Sequence, residues 1–215
     1  MDRVEKICGY LDKCVTLADV GCDHGYCTRR MLATGMCERA VISDISLKCL
    51  AKAEKLLIRY IENGSVTSVC CNGLEKIDTD TEQVLIAGMG GEEIISILQS
   101  GFIPKKFVLQ PMRNTRKLRE FLVGKGAHIL KDEIFKSGGK FYYIIKGEKS
   151  GVGSRYSPAE LEFGKNLNSE VLKEFIATEI NKKRGYLQSA VNAAAREKLT
   201  AEIIFYEEVL KSETC

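Results

Sequence analysis

The residues best equipped for chemistry gather in Leu17 to Tyr26, which reads Leu-Ala-Asp-Val-Gly-Cys-Asp-His-Gly-Tyr. Gly21 and Gly25 bracket a short loop that carries Asp23 and His24, with Asp19 just ahead of it. The spacing is Gly-x-x-x-Gly, not the Gly-x-Gly-x-x-Gly of dinucleotide enzymes. Two carboxylates repel a pyrophosphate; they suit a ligand that offers hydroxyls, an ammonium or a sulfonium. Asp23 follows the turn and can point into a crevice, which makes it the stronger catalytic candidate. His24 is the second candidate, and it also reads as a loop histidine that orders its neighbours. Further along come Asp44, Asn72-Gly73, Gly88-Met89-Gly90-Gly91 and Gln110-Pro111. Asp44 lies about twenty residues past the glycine loop, where an acid takes the hydroxyls of a ribose. Asn72 can offer an acceptor and a donor to an adenine edge. Each has a plainer reading: a helix N-terminal acid before Ser46, an Asn-Gly turn, and close strand–helix packing at the Gly88–Gly91 cluster.

Strands must carry these residues to one edge. Apolar runs predict strands over 15–20, 39–43, 66–70, 83–87 and 106–110, each ending at one of the special residues. Helices are predicted between them, over 27–35, 47–63, 92–99 and 115–125, with an amphipathic helix over 3–12 ahead of them. Strands alternating with helices imply a parallel, doubly wound α/β sheet, with its binding crevice outside the strand carboxyl ends. Two more strands, 128–135 and 140–146, meet at Gly138-Gly139 as a hairpin, giving seven strands. His128 falls in the first of these and reads as structural. Residues 1–150 form one domain by this division, and residues 151–215 a helical tail. In the tail, Ser157-Pro158-Ala159-Glu160 is a capping box. Leu172, Ile176, Ile180 and Leu187, then Leu199, Ile203, Tyr206 and Leu210, form heptad-like seams over 169–191 and 196–211, predicting an antiparallel coiled-coil hairpin.

The chain has 215 residues and 45% apolar content, enough for a proper core. No run approaches the ~20 apolar residues of a membrane span, and the start, MDRVEKICGYL, does not read as a signal peptide. Nine cysteines without a C-x-x-C and only two histidines argue for reduced thiols, a cytoplasmic location and no metal site. Charge is uneven. Residues 1–104 hold 11 Lys/Arg against 15 Asp/Glu, residues 105–149 hold 12 against 4, and residues 150–215 hold 9 against 10. The basic middle block reads as a surface that meets phosphates, or as a solvated lysine-rich face.

The run Asp19-Val-Gly-Cys-Asp-His-Gly-Tyr26, together with Ile86-Ala-Gly-Met-Gly-Gly91, Leu109-Gln-Pro111 and the Gly-Lys-Phe-Tyr stretch at 139–142, resembles the bacterial TrmK family. The resemblance covers nearly the whole chain. It implies a class I methyltransferase (Rossmann-like) fold, S-adenosyl-L-methionine as cofactor, and methylation of N1 of adenine 22 in tRNA. By the resemblance, Asp19, Gly21, Cys22, Asp23 and His24 hold the methionine part of the cofactor. Asp44 with Ile45 takes its ribose, Asn72 and Gly73 meet its adenine, and Ala87, Gly88 and Met89 border the methyl group. For such chemistry Tyr26, Met89 or Met112 could stack on the target base beside Gln110, with the sequence choosing none of them, and the basic block offers Arg113, Arg116, Lys117 and Arg119 to the RNA backbone. The family pattern has serine at 22, alanine at 25, glutamate at 44 and aspartate at 72, where this chain has Cys22, Gly25, Asp44 and Asn72. The expected partner is tRNA, with no membrane, and the chain acts as a monomer or weak dimer. Rival readings are a methyltransferase on another acceptor, an RNA-binding protein that keeps the fold without catalysis, and a nicotinamide dehydrogenase, which the glycine spacing disfavours.

Overall fold

The computed structural model describes residues 2–212. Seven strands, β1 (Cys14–Val20), β2 (Cys37–Asp44), β3 (Val66–Cys70), β4 (Gln83–Met89), β5 (Lys106–Pro111), β6 (Ala127–Ser137) and β7 (Lys140–Lys149), form one sheet in the order β3-β2-β1-β4-β5-β7-β6. The first five are parallel; β7 runs antiparallel between β5 and β6.

The unbroken apolar runs are explained by burial on both faces. Leu17, Leu85 and Val108 pack with Ile7, Met31, Leu50 and Leu57 from helices α1 (Arg3–Cys8), α2 (Tyr26–Ala33) and α3 (Leu47–Glu62). Their immediate neighbours Ala18, Val84, Ile86, Phe107 and Leu109 pack on the other face with Ile94 and Leu98 of α4 (Gly91–Ser100) and Leu118 and Leu122 of α5 (Thr115–Gly124). Each of the larger of these side chains contributes about 1.5–3 kcal/mol by burial. Chain direction across the sheet reverses at β1, between β2 and β4, so the binding crevice of an open α/β sheet falls at the carboxyl ends of these strands.

Local chemistry sets the element ends. Ser46 caps α3 by accepting from Cys49 N–H at 3.3 Å. Gly35, in the left-handed region at φ +65°, follows the last turn of α2. The first helix is shorter than its apolar pattern predicts. It stops at Cys8, and Tyr10 and Leu11 are held by single turns to Ile7 and Cys8 carbonyls.

Beyond β7, α6 (Pro158–Phe163) opens with the Ser157–Glu160 capping box, followed by α7 (Glu170–Ser189) and α8 (Ala193–Ser212). α7 and α8 pair as a helical hairpin around Leu172, Ile176, Ile180, Ile203 and Tyr206. Val209 completes the buried seam, with Leu210 packed against it at the margin, and Leu199 is not part of it. The hairpin is rooted on the sheet: Ile134 of β6 belongs to its core, and Phe141 and Tyr143 of β7 pack edge-on against Phe175. Among the described residues no helix is long and apolar enough to cross a membrane.

Candidate cofactor and acceptor site

At the carboxyl edge, β1 ends in a turn built on left-handed backbone: Gly21 at φ +69°, Asp23 at +46° and Gly25 at +69°. A left-handed aspartate is uncommon, and its short polar side chain is one of the few that tolerate it. The turn is tied to β2, because Gly21 and Cys22 N–H groups both donate to Ser43 O, at 2.8 and 3.0 Å. Asp44 is held from two sides. Its Oδ1 accepts from Ser46 N–H at 2.8 Å, and its Oδ2 lies 3.4 Å from Asp23 N–H.

A crevice opens between this turn, the ends of β2 and β3, and α4. It is lined by Gly21, Ser43, Asp44, Ile45, Asn72, Gly73 and Met89, with Glu93, Ser96 and Ser100 from α4. Bare backbone gives it shape. A Cβ on Gly21 would lie 1.8 Å from Met89 Cε, and one on Gly73 2.9 Å from Ile97 Cγ2. The β4–β5 register shifts between Ala87 and Met89, a bulge that turns Met89 into the crevice. Met112 N–H donates to Met89 O, and Gly91 N–H to Arg113 O, both at 2.8 Å, fixing this turn to the segment after β5. A wider hollow lined by Val15, Arg39 and Asp80 sits at the opposite, amino edge of the sheet, away from the glycine turns that follow β1 and β4.

Ser43 Oγ is fully buried, borders the crevice and has no hydrogen-bond partner among the described residues. A buried hydroxyl without a protein partner leaves a valence that a ligand or a water can fill. With the anchored Asp44 carboxylate and the amide of Asn72, the donor set fits the ribose and base of a nucleoside. The exposed Ile45 side chain adds an apolar wall.

The structure brings together most of the predicted cofactor residues and moves others. Asp19 does not reach the crevice: it is 5% exposed and accepts from Thr28 Oγ1 at 2.7 Å. Burial pushes its carboxyl up to about 6, against the pull of the Thr28 hydrogen bonds. Cys22 is likewise turned into the core, and burial raises its thiol. The Asp23 carboxylate is exposed and faces Lys52 Nζ and His24 Nε2, each at 3.6 Å, outside the crevice lining. His24 stacks on Tyr26, ring centroids 5.4 Å apart. Tyr26, Met112 and Arg113 are exposed, as an acceptor surface requires.

Four residues predicted on the acceptor side are placed otherwise. Arg119 is buried, with Nε and Nη2 on the two Asp132 oxygens at 2.7 and 2.9 Å and Nη1 on the Leu161 and Glu162 carbonyls, so it holds the fold and meets no RNA. Gln110 is fully buried and accepts from Arg3 Nε at 3.0 Å, acting behind the surface. Arg116 is exposed but paired with Glu120 and Glu162, and Lys117 with Glu92. Sequence reasoning missed Ser43, Arg3 and the α4 residues Glu93, Ser96 and Ser100. The last two stand four apart on a helix that is otherwise largely apolar, a pattern that could have flagged them.

This strand order, glycine turn and post-β2 acid define a class I methyltransferase domain. Residues 1–145 match the family described as a methyltransferase domain. The chain is 33% identical over 143 residues to a Mycoplasma pneumoniae protein named "Putative tRNA methyltransferase", covering 66% of this chain and 67% of that one. It is 24% identical over 177 residues to the tRNA (adenine(22)-N(1))-methyltransferase of Bacillus subtilis, covering 80% and 74%. The Streptococcus pneumoniae protein Sp1610, solved with S-adenosyl-L-methionine, superposes with a TM-score of 0.85 at 25% identity, over 98% of this chain and 100% of that one. The chain belongs to the methyltransferase-domain family and, within it, to the TrmK group.

Proposed function

We propose that this protein transfers a methyl group from S-adenosyl-L-methionine to N1 of adenine 22 in tRNA. The observation that carries the reading is the crevice at the β1–β4 switch point, where Asp44, the unpartnered Ser43 hydroxyl, Asn72 and Met89 meet a nucleoside-shaped demand. The acceptor is taken from the Bacillus subtilis relative, whose name gives N1 of adenine 22. Bound there, the cofactor provides an electrophilic methyl on a sulfonium. In this reading Asp44 holds the ribose hydroxyls, Asn72 and Gly73 face the adenine with Ser96 and Ser100 opposite, and Met89 borders the reacting centre.

N1 of neutral adenine keeps an in-plane lone pair, so no residue has to remove a proton before attack. The protein's work is positioning and exclusion of water. Stacking and pairing hide N1 in a folded tRNA, so the target nucleotide is extruded, and the stacked His24–Tyr26 pair at the loop offers it a surface. Asp23 is the candidate catalytic residue. Released from Lys52 by a side-chain rotation, its carboxylate accepts from the amino group of the base and stabilises the charge that develops there. The helical tail braces the rest of the tRNA. The chain acts in the cytoplasm, as a monomer or weak dimer, with residues 1–150 as the catalytic domain.

Incubating the protein with labelled S-adenosyl-L-methionine and unmodified tRNA, then mapping the product by nuclease digestion and mass spectrometry, tests this directly. The expected product is 1-methyladenosine at position 22; any other product, or none, overturns the reading. Asp23→Ala is expected to fold and bind cofactor while losing about a hundredfold in turnover. Near-normal turnover in that variant removes Asp23 from the mechanism.

A further inference from the structure

The acceptor side of the site contains an arginine that the motifs do not include. Arg3, the first residue of α1, reaches over the sheet edge, and its Nε donates to the buried Gln110 Oε1 at 3.0 Å. Gln110 is itself fixed, its Nε2 donating to Pro111 O at 2.9 Å. The guanidinium lies over the Tyr142 ring, 5.4 Å from its centroid, and Tyr142 in turn stacks on Phe135. One face and one nitrogen of Arg3 are therefore spent on holding it still. Its Nη2 comes to rest on the bare backbone of Gly88, 2.9 Å from where a Cβ would stand.

On the other side of Met89, Arg113 does the same at Gly90, with Nε 3.1 Å from the Cβ position. Two guanidiniums thus flank the β4–α4 turn, each lying against a glycine. Neither forms an ion pair among the described residues, though the Glu92 carboxyl, held down chiefly by Lys117, also feels the charge of Arg113. Neighbouring cations differ in this: Arg30 pairs with Glu5, Arg116 with Glu120 and Glu162, Lys117 with Glu92, and Arg119 with Asp132. A part-buried guanidinium that is oriented by neutral groups and lacks a counter-ion is preorganised for an anion from outside. Its planar fork suits a phosphate.

We infer that Arg3, opposite Arg113, clamps backbone phosphates of the nucleotide strand at the acceptor side of the Gly88–Gly90 turn. The inference rests on the RNA-acceptor reading above, and it adds a positioning residue from α1 on which that reading does not depend. Clamping the phosphates on either side of one nucleotide holds the strand splayed and leaves the base between them free to turn toward Met89. Such contacts carry no sequence information; they set register.

The test measures binding of unmodified tRNA without turnover, in the presence of S-adenosylhomocysteine, across a salt series for wild type, Arg3→Gln and Arg3→Lys. Loss of one phosphate contact is expected to reduce the slope of log K against log salt by about 1 in Arg3→Gln. In turnover, that variant is expected to raise KM for tRNA about tenfold with kcat and S-adenosylhomocysteine affinity close to wild type, the pattern of lost uniform binding. Arg3→Lys keeps the slope, because the charge remains, and still raises KM, because the fork is gone. A residue that only pins α1 gives the opposite result: a lower melting temperature with unchanged slope and KM, which overturns the clamp. If Arg3→Gln does not fold, the lysine variant decides, and a wild-type KM there overturns the clamp. Wild-type protein that binds tRNA but transfers no methyl defeats the functional reading alone, since the salt slope still reads the clamp.

Discussion

The carboxyl edge of the sheet and its β6 flank both place polar groups in apolar surroundings, and they treat them in opposite ways. At the flank, Arg119 spends Nε and Nη2 on Asp132 and Nη1 on two carbonyls of α6, Tyr156 Oη donates to the same Asp132, and the Tyr143 ring lies 4.7 Å from the guanidinium carbon. Each of these buried polar atoms is matched. At the edge, the Ser43 hydroxyl has no partner, Asp23 sits in left-handed backbone and Arg3 forms no ion pair, while Asp19, behind the crevice, is buried with only Thr28 to support it. Closed networks hold a fold in one shape. Open valences and strained backbone accumulate where a ligand completes them. The contrast separates two kinds of buried charge that look alike in a list of charged residues.

Breaking the closed network is expected to have the largest effect. Asp132→Ala leaves a fully buried guanidinium uncompensated and is expected to cost about 3–5 kcal/mol in chemical denaturation. The double change Arg119→Met with Asp132→Leu is expected to recover most of that loss, since well-packed apolar replacements of a buried pair are often neutral. An equal or larger loss in the double variant would show that the α6 carbonyls need the guanidinium for themselves. The same geometry bears on the tail. Cutting the chain after β7 strips α6 from Arg119, so a truncation meant to probe tRNA binding has to begin beyond Gly164.

Asp19 sharpens the comparison through pH. Its folded value, about 6, lies above the ordinary 3.8 because burial disfavours the charged form. Between roughly pH 4 and 6 the folded chain therefore keeps a proton that the unfolded chain has released, and stability falls as pH rises through that window. The full drop is at most about 3 kcal/mol, and stability is flat with respect to this group above it. Asp19→Asn removes that portion of the slope; urea midpoints of the two proteins at about pH 4, 5 and 7 read the difference. A slope of the same size in both proteins assigns the pH dependence elsewhere.

Much of the fold was legible because burial on two faces writes short apolar-rich runs, such as Val84–Ala87 and the Leu17-Ala18 and Val20 positions around Asp19, each followed by a glycine turn. The edge residues were legible because a strand that must turn into a crevice ends in glycine or a short polar side chain, as Gly21, Asp44, Asn72 and Gly88 do. What could not be read depends on partners distant in sequence. Arg119 belonged to a basic block that suggested a surface; only the β6 register places Asp132 against it and removes it from solvent. Arg3 meets Gln110 across 107 positions, and no local pattern announces that. In α8 the seam is wider than its heptad reading: Val209 is buried beside Leu210, which packs against the same core, because packing admits both apolar neighbours.

Ser43 gives the smallest effect and the sharpest division between the two regions. A buried hydroxyl with no partner costs the folded protein about 1–3 kcal/mol relative to one that is satisfied. Ser43→Ala removes the unmet group and almost no volume, so stability in denaturant is expected to hold or rise. The affinity for S-adenosylhomocysteine, read by calorimetry, is expected to fall about three- to tenfold, the worth of one neutral hydrogen bond. This sign pattern is the reverse of Asp132→Ala, where stability falls because the network is complete without any ligand. If Ser43→Ala lost stability and kept its affinity, Ser43 would be an ordinary core hydroxyl, and the edge would differ from the flank only in its glycines.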